Sequence, residues 1–196
     1  MGENQRMDSI DINKVNMTNS DFLAIGENVF ISEQVEIKRP QKVKIGNHVA
    51  IDTGFYCTVT ADIGNYVHIG PYVTIIGGPT GYIRMSDFSS IAAGSRMICG
   101  SDEHLGYGLV GPTIPDKLKD KLIIEPIILE RFANLGTNVI VMPGVTIAEG
   151  TVISAGSIVT KSTLPWKIYV GQPARPIKDR PKEKMIAYAK ELGLYE

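Results

Sequence analysis

From Leu129 to Lys161 the chain reads LERFANLGTNVIVMPGVTIAEGTVISAGSIVTK, and an aliphatic residue opens every sixth position: Leu129, Leu135, Val141, Ile147, Ile153, Val159. Four residues after each of the first five stands a small or β-branched one, namely Ala133, Val139, Val145, Thr151 and Ser157. A helix repeats its apolar face about every 3.6 residues and a strand every second residue. A period of six fits neither. It fits a short strand and a turn, repeated and stacked, which is the hexapeptide pattern of a parallel β-helix.

The same frame extends towards the N-terminus and groups in threes, as if each coil were a triangle. First sides open at Ile25, Ile45, Ile63, Met85, Ile123, Val141 and Val159. Second sides open at Ile31, Ile51, Ile69, Ile91, Leu129 and Ile147, and third sides at Ile37, Cys57, Ile75, Met97, Leu135 and Ile153. Each set predicts an inward aliphatic ladder with rungs about 4.8 Å apart. The steps from Ile37 to Ile45, from Ile75 to Met85 and from Met97 to Ile123 are all too long for the period. All three fall on a third side, so the insertions share one edge of the prism. The frame predicts an all-β chain: a parallel β-helix of about six coils, a long loop excursion and a short C-terminal helix.

The expected organisation is a polar segment over residues 1–24, the β-helix over 25–164 with its loop at 100–122, and a C-terminal wrap and helix over 165–196. A short helix is expected at DFL, capped by Asn19 or Ser20. The Pro-rich stretch LPWKIYVGQPARPIKDR is expected to cover the last sheet edge. A helix from Pro181 to about Leu192 would put Met185, Ile186, Ala189 and Leu192 on one face. Cys57 reads as a small core residue, and Cys99, two rungs on, lies too far away for a disulfide. A formal net charge of −1 gives no pull towards nucleic acid or an anionic membrane. No apolar run reaches the roughly 18 residues of a membrane span, and the chain opens on the polar MGENQRMDSIDIN. With two cysteines, a reducing, cytoplasmic setting is expected.

The two hexapeptide runs, the looped-out third side and the ending SAGSIVTK…YVGQPARPIK resemble the hexapeptide-repeat acyltransferases. VHIGPYVTIIGG, then GSD with GLVGPTIP, then PWKIYVGQPA are similar to the sugar acetyltransferases of surface-polysaccharide biosynthesis, over roughly Ile25 to Lys178. The resemblance implies a left-handed coil, although parallel crossovers are as a rule right-handed. It also implies a homotrimer with active sites between subunits, acetyl-CoA as co-substrate without a metal, and transfer to a hydroxyl or amino group of a nucleotide-linked or glycan-bound sugar.

Acyl transfer from a thioester needs a base for the acceptor's proton and a donor for the oxyanion. Histidine suits the base. His68, in YVHIG, is expected to face outward at a corner; it is either a surface histidine or the base that resembling enzymes carry in this V-H-I context. His104 lies in the loop segment SDEHLGYG, where more distant galactoside- and maltose-type relatives place a catalytic histidine; its other reading is a solvated loop residue. Asp102 either orients one of these rings or binds the acceptor, or keeps the loop soluble. His48, in GNHVAI, reads as surface packing in the middle of a side. For the coenzyme, Ala155, Thr160, Lys161 and Arg175 match the family segments AGS-x-VTK and G-x-PAR, with Lys178 as a further phosphate contact. Small residues at Gly136, Ala155 and Gly156 would let pantetheine approach the backbone, and the amide of Gly136 or Thr137 is a candidate oxyanion donor. Because His68 and the loop leave from different corners, a neighbouring chain's loop is the shorter route to His68.

Two other readings stand beside acyl transfer. A γ-type carbonic anhydrase uses the same spring with three zinc-binding histidines, but His48, His68 and His104 fall in different coils. A non-catalytic β-helix scaffold would have no need of the long polar loop and would not bind coenzyme A.

Overall fold

The structure, a computed structural model, describes residues 18–196; the polar opening through residue 17 lies outside the described residues. Three parallel sheets wind around one core. The first holds Ala24–Ile25, Val43–Ile45, Thr60–Ile63, Tyr82–Met85, Ile127–Leu129 and Thr146–Ile147. The second holds Phe30–Ile31, Ala50–Ile51, His68–Ile69, Ser90–Ile91, Asn134–Leu135 and Val152–Ile153. The third holds Glu36–Ile37, Tyr56–Cys57, Thr74–Ile76, Arg96–Ile98, Ile140–Val141 and Ile158–Val159. These are six full coils. Most strands are two residues long because a hexapeptide must also hold the turn to the next side. The inward residue of each rung, such as Ile51, Ile69, Ile91 or Ile153, is completely buried, which contributes roughly 1.5–3 kcal/mol per side chain.

The ladders shift after the excursion. Ile123 does not open a first side: it pairs with Ser101 in an antiparallel hairpin of Gly100–Asp102 and Leu122–Ile124. The first ladder resumes at Leu129, beside Met85, and continues to Ile147. Leu135 and Ile153 therefore belong to the second sheet, and Val141 and Val159 to the third. A six-residue period cannot reveal this, since Ile123 and Leu129 are themselves six apart. What decides it is the partner across the rung, and Ile127 lies beside Ile83. The long step thus runs from Met97 to Leu129, at the corner that also takes the two shorter insertions.

One corner carries an aromatic column. His48, Tyr66, Phe88 and Phe132 turn the chain from first to second side with φ between 56° and 61° or, for Tyr66, 54°. Their rings stack with centroids 4.6, 5.4 and 5.1 Å apart, matching the rung spacing. A side chain in the left-handed region costs energy, and stacking offsets it by about 0.5–1.5 kcal/mol per pair. His48 is thus a corner residue rather than one in the middle of a side. On the last coil the corner residue is Gly150, with φ of 67°, and the Trp166 ring lies where its side chain would be.

Lys167–Gly171 extends the second sheet on top of Val152–Ile153, and Ala174–Asp179 folds back antiparallel as its edge strand. Arg180 then donates to the carbonyls of Phe132 (2.9 Å) and Gly150 (3.0 Å) and to Asn134 Oδ1 (2.8 Å). The following helix, α1, spans Glu183–Glu191 rather than starting at Pro181. It buries Ala189 but leaves Leu192 half in solvent. Gly193, at φ 70°, ends it, and the Leu194 amide reaches the Ala189 carbonyl. The N-terminal turn is a 3-10 turn, Asn19–Asp21, whose cap is Thr18 rather than Asn19 or Ser20. Among the described residues no helix is long and apolar enough to cross a membrane.

Candidate active site

His68 stands on the outer face of the second sheet, between Ala50 on one neighbouring rung and Ser90 on the other. It faces outward as expected, but from the strand of the second side rather than from the corner before it. Asp52 lies diagonally across, two residues beyond Ala50, and its Oδ2 is 2.9 Å from His68 Nε2. Diagonal neighbours in a sheet are about 7–8 Å apart at the backbone, so long side chains meet if nothing stands between. Ala50 is small enough to leave that path open. The pair is accessible, with side-chain exposures of 57% for His68 and 33% for Asp52. Sequence reasoning missed Asp52; aligning HVAID with YVHIG by coil would have found it.

Asp102 and His104 sit on the arm that the long step forms. Asp102 is half-buried at the end of the hairpin, opposite Leu122. His104 is exposed, in a left-handed turn with φ of 57°. The arm is pinned by Asp120, its one buried polar residue, which accepts the amides of Leu105 (3.2 Å) and Lys121 (2.9 Å). Leu105, Tyr107, Leu109 and Leu118 are left exposed. The arm's root follows Ile98, at the corner between third and first sheets, whereas His68 starts from the corner between first and second. Within one chain a full side separates them, and the hydrogen-bond partner of His68 is Asp52.

The six residues assigned to the coenzyme fall in three places. Gly136 and Ala155 occupy the corner between second and third sheets on successive coils, and the exposed turn Ala155-Gly156 faces the hairpin that carries Arg175. There Gln172 Nε2 donates to the Gly156 carbonyl (2.6 Å), and the Gly171 amide to Ser157 Oγ (3.0 Å). Thr160 and Lys161 lie past Val159, at the corner between third and first sheets, both exposed. Lys178 pairs with Ile168 at the opposite end of the C-terminal hairpin from Arg175. Gly136 has a structural reason to lack a side chain: a Cβ there would come within 2.6 Å of the Ala155 nitrogen. Its amide is committed to the Ile153 carbonyl at 2.8 Å, so of the two candidate oxyanion donors Thr137 is the free one.

A separate cleft of about 790 Å³ lies over the first sheet, with Lys44, Asp62, Arg84, Asp87, Arg131 and Tyr195 among its lining residues. None of the residues assigned to acyl transfer lines it. Two ion pairs lie in it, Arg131 with Asp87 at 3.9 Å and Lys44 with Asp62 at 4.0 Å, while Arg84, Glu130 and Glu149 are in no salt bridge among the described residues. The three histidines occupy three different surroundings: aromatic column, sheet face and arm.

A triangular β-solenoid interrupted by one long arm, with a histidine–carboxylate pair on one face, defines a class of protein. The chain belongs to the hexapeptide-repeat acyltransferases, enzymes built on the left-handed parallel β-helix. Its fold is shared with AntD, an N-acyltransferase from Bacillus cereus. One AntD variant, solved with dTDP and coenzyme A, matches with a TM-score of 0.84 at 34% identity, over 89% of this chain and 94% of that one. The chain is also 28% identical to the dTDP-4-amino-4,6-dideoxy-D-glucose acyltransferase of Escherichia coli, over 88% of this chain and 90% of the relative. WcaF of Escherichia coli K12, provisionally assigned as a colanic acid biosynthesis acetyltransferase, is 30% identical over 80% of this chain and 69% of its own length. No family model matches the sequence.

Proposed function

We propose that this protein transfers an acetyl group from acetyl-CoA to the amino group of a dTDP-linked amino-deoxy sugar. The observation that carries the reading is the likeness to AntD, which spans nearly the whole of both chains, at a TM-score of 0.84. Other AntD structures hold dTDP-4-amino-4,6-dideoxyglucose, the sugar nucleotide named for the Escherichia coli relative. His68 takes a proton from the amine as nitrogen attacks the thioester carbonyl. The C–N bond forms, the C–S bond breaks, and coenzyme A leaves as its thiol once the proton is passed on.

The enzyme works as a homotrimer, in which the arm of one chain brings Asp102 and His104 to His68 of the next. The arm's exposed leucines and Tyr107 support this, because a solvated arm would gain nothing from them. Coenzyme A lies along the edge marked by Gly136, Ala155 and Arg175, with Thr160, Lys161 and Lys178 as further contacts. The setting is the cytoplasm, in the assembly of a surface polysaccharide, a context that the likeness to WcaF supports.

The test is thiol release from acetyl-CoA with dTDP-4-amino-4,6-dideoxyglucose, its 4-hydroxyl counterpart and unlinked glycosides as acceptors. Turnover is expected with the amino sugar and at least a hundredfold less with the hydroxyl compound. Turnover confined to hydroxyl acceptors, or to glycosides without a nucleotide, would overturn the reading.

A further inference from the structure

We propose that Asp52 is the positioning residue of the acyl transfer: it holds His68 by Nε2, so that Nδ1 is the atom that takes the acceptor's proton. The inference rests on the reading of His68 as the base and names how that base is held.

The contact is short and defined. His68 Nε2 lies 2.9 Å from Asp52 Oδ2, and a carboxylate is an acceptor only, so the ring nitrogen between them carries the proton. A neutral imidazole with its proton on Nε2 has its lone pair on Nδ1. Among the described residues no protein group hydrogen-bonds Nδ1. Within the chain Asp52 is the one side chain that hydrogen-bonds the ring among the described residues; the neighbour's Asp102 and His104 are the titratable groups the proposed trimer would add. Ala50 and Ser90 flank His68 across the rungs, and Tyr66 heads the preceding corner. Two rungs on along this face, Arg180 is occupied by Asn134, Phe132 and Gly150.

The face beside the ring is clear for an acceptor. The column that starts with Asp52 continues through Gly70, Ala92 and Gly136, each donating its amide to the next coil. None of these carries a side chain that would cover the imidazole. At Gly70 the close approach of the coils itself requires this, since a Cβ would meet the Ala93 nitrogen at 3.0 Å.

As an exposed surface pair the contact would matter little to stability. Its consequence is for the reaction. When Nδ1 takes the amine proton the ring becomes a cation, and Asp52 faces that charge as it develops. The imidazolium then returns the proton to the departing thiolate, and the ring is again neutral with Nε2–H on Asp52. No group is consumed.

The test compares Asp52→Asn, Asp52→Ala, Asp52→Glu and His68→Ala, each first checked for an unchanged melting temperature. A positioned base contributes about 10²–10⁴-fold, and losing only its partner should forfeit part of that. The expected result is a roughly ten- to hundredfold fall in kcat for the Asn and Ala variants, with KM for acetyl-CoA within about twofold and recovery in the Glu variant. In ¹⁵N spectra of the wild-type ring in its neutral form, Nε2 should be protonated and Nδ1 bare. Full activity of Asp52→Ala beside an inactive His68→Ala overturns the inference and leaves the base reading standing. An active His68→Ala removes both. A ring protonated at Nδ1 also overturns it.

Discussion

The rung assignment after the arm is the structural statement that stability measurements can test most sharply. Leu129 is wholly buried between Met85 and Ile147 in the first ladder, whereas Ile123 is only partly covered in a two-stranded hairpin. Leu129→Ala deletes three carbons. At about 0.8 kcal/mol for each buried methylene the transfer loss is roughly 2.4 kcal/mol. Hydrogen-bonded coils above and below keep the rungs about 4.8 Å apart, so the site cannot collapse and a cavity contribution adds to it. A total of roughly 3–4 kcal/mol is expected, within the range for such truncations. Ile123→Ala should cost clearly less, because Ile123 keeps part of its surface in water and has a strand on one side only. Urea unfolding reports both, followed by the fluorescence of Trp166, the chain's single tryptophan, at one fixed protein concentration since the assembly state enters the apparent stability. If Ile123→Ala proves as costly as Leu129→Ala, the ladder runs through Ile123 and the present assignment is wrong.

Two further outcomes follow from the same geometry. Burial, opposed by hydrogen bonding to backbone carbonyls, pushes the Cys57 thiol up to about 11 and Cys99 to about 12, against an ordinary value of 9.0. The folded values lie above the unfolded ones, so this contribution is full below pH 9 and fades as the pH climbs towards 11 and 12. Urea midpoints should therefore fall between pH 8 and pH 10 more steeply for the wild type than for a Cys57→Ala, Cys99→Ala double variant; equal slopes would refute this. Refolding His68→Ala chains with chains carrying both Asp102→Ala and His104→Ala should recover roughly a quarter of the wild-type activity, if each site of a symmetric trimer draws on two chains. Activity no higher than that of either parent, in trimers shown to be mixed, would mean that the site lies within one chain or that one of the two groups is not catalytic, and would refute the shared site.

Much of this molecule was legible in a period. Ile45, Ile51 and Cys57, then Ile63, Ile69 and Ile75, mark three faces because one face recurs every eighteen residues and only a triangular coil buries all three. The insertions share an edge for the same reason: a corner can be opened without breaking a ladder, and a rung cannot. The chemistry of the arm's SDEH and of VHIG could be named from residue types. What the period could not decide was phase. Ile123 satisfies it as well as Leu129 does, and only pairing across the coil, Ile127 beside Ile83 and Ser101 against Ile123, separates rung from arm. The partner of His68 was hidden likewise, because Asp52 sits sixteen residues earlier in sequence but one rung away in space. Gly136 shows the converse: a glycine that looks like room for a ligand is held by the Ala155 backbone of the next coil. Local composition sets what each side of the prism can be, and the stacking of coils sets which side chains meet, since that contact is made between residues a full turn apart.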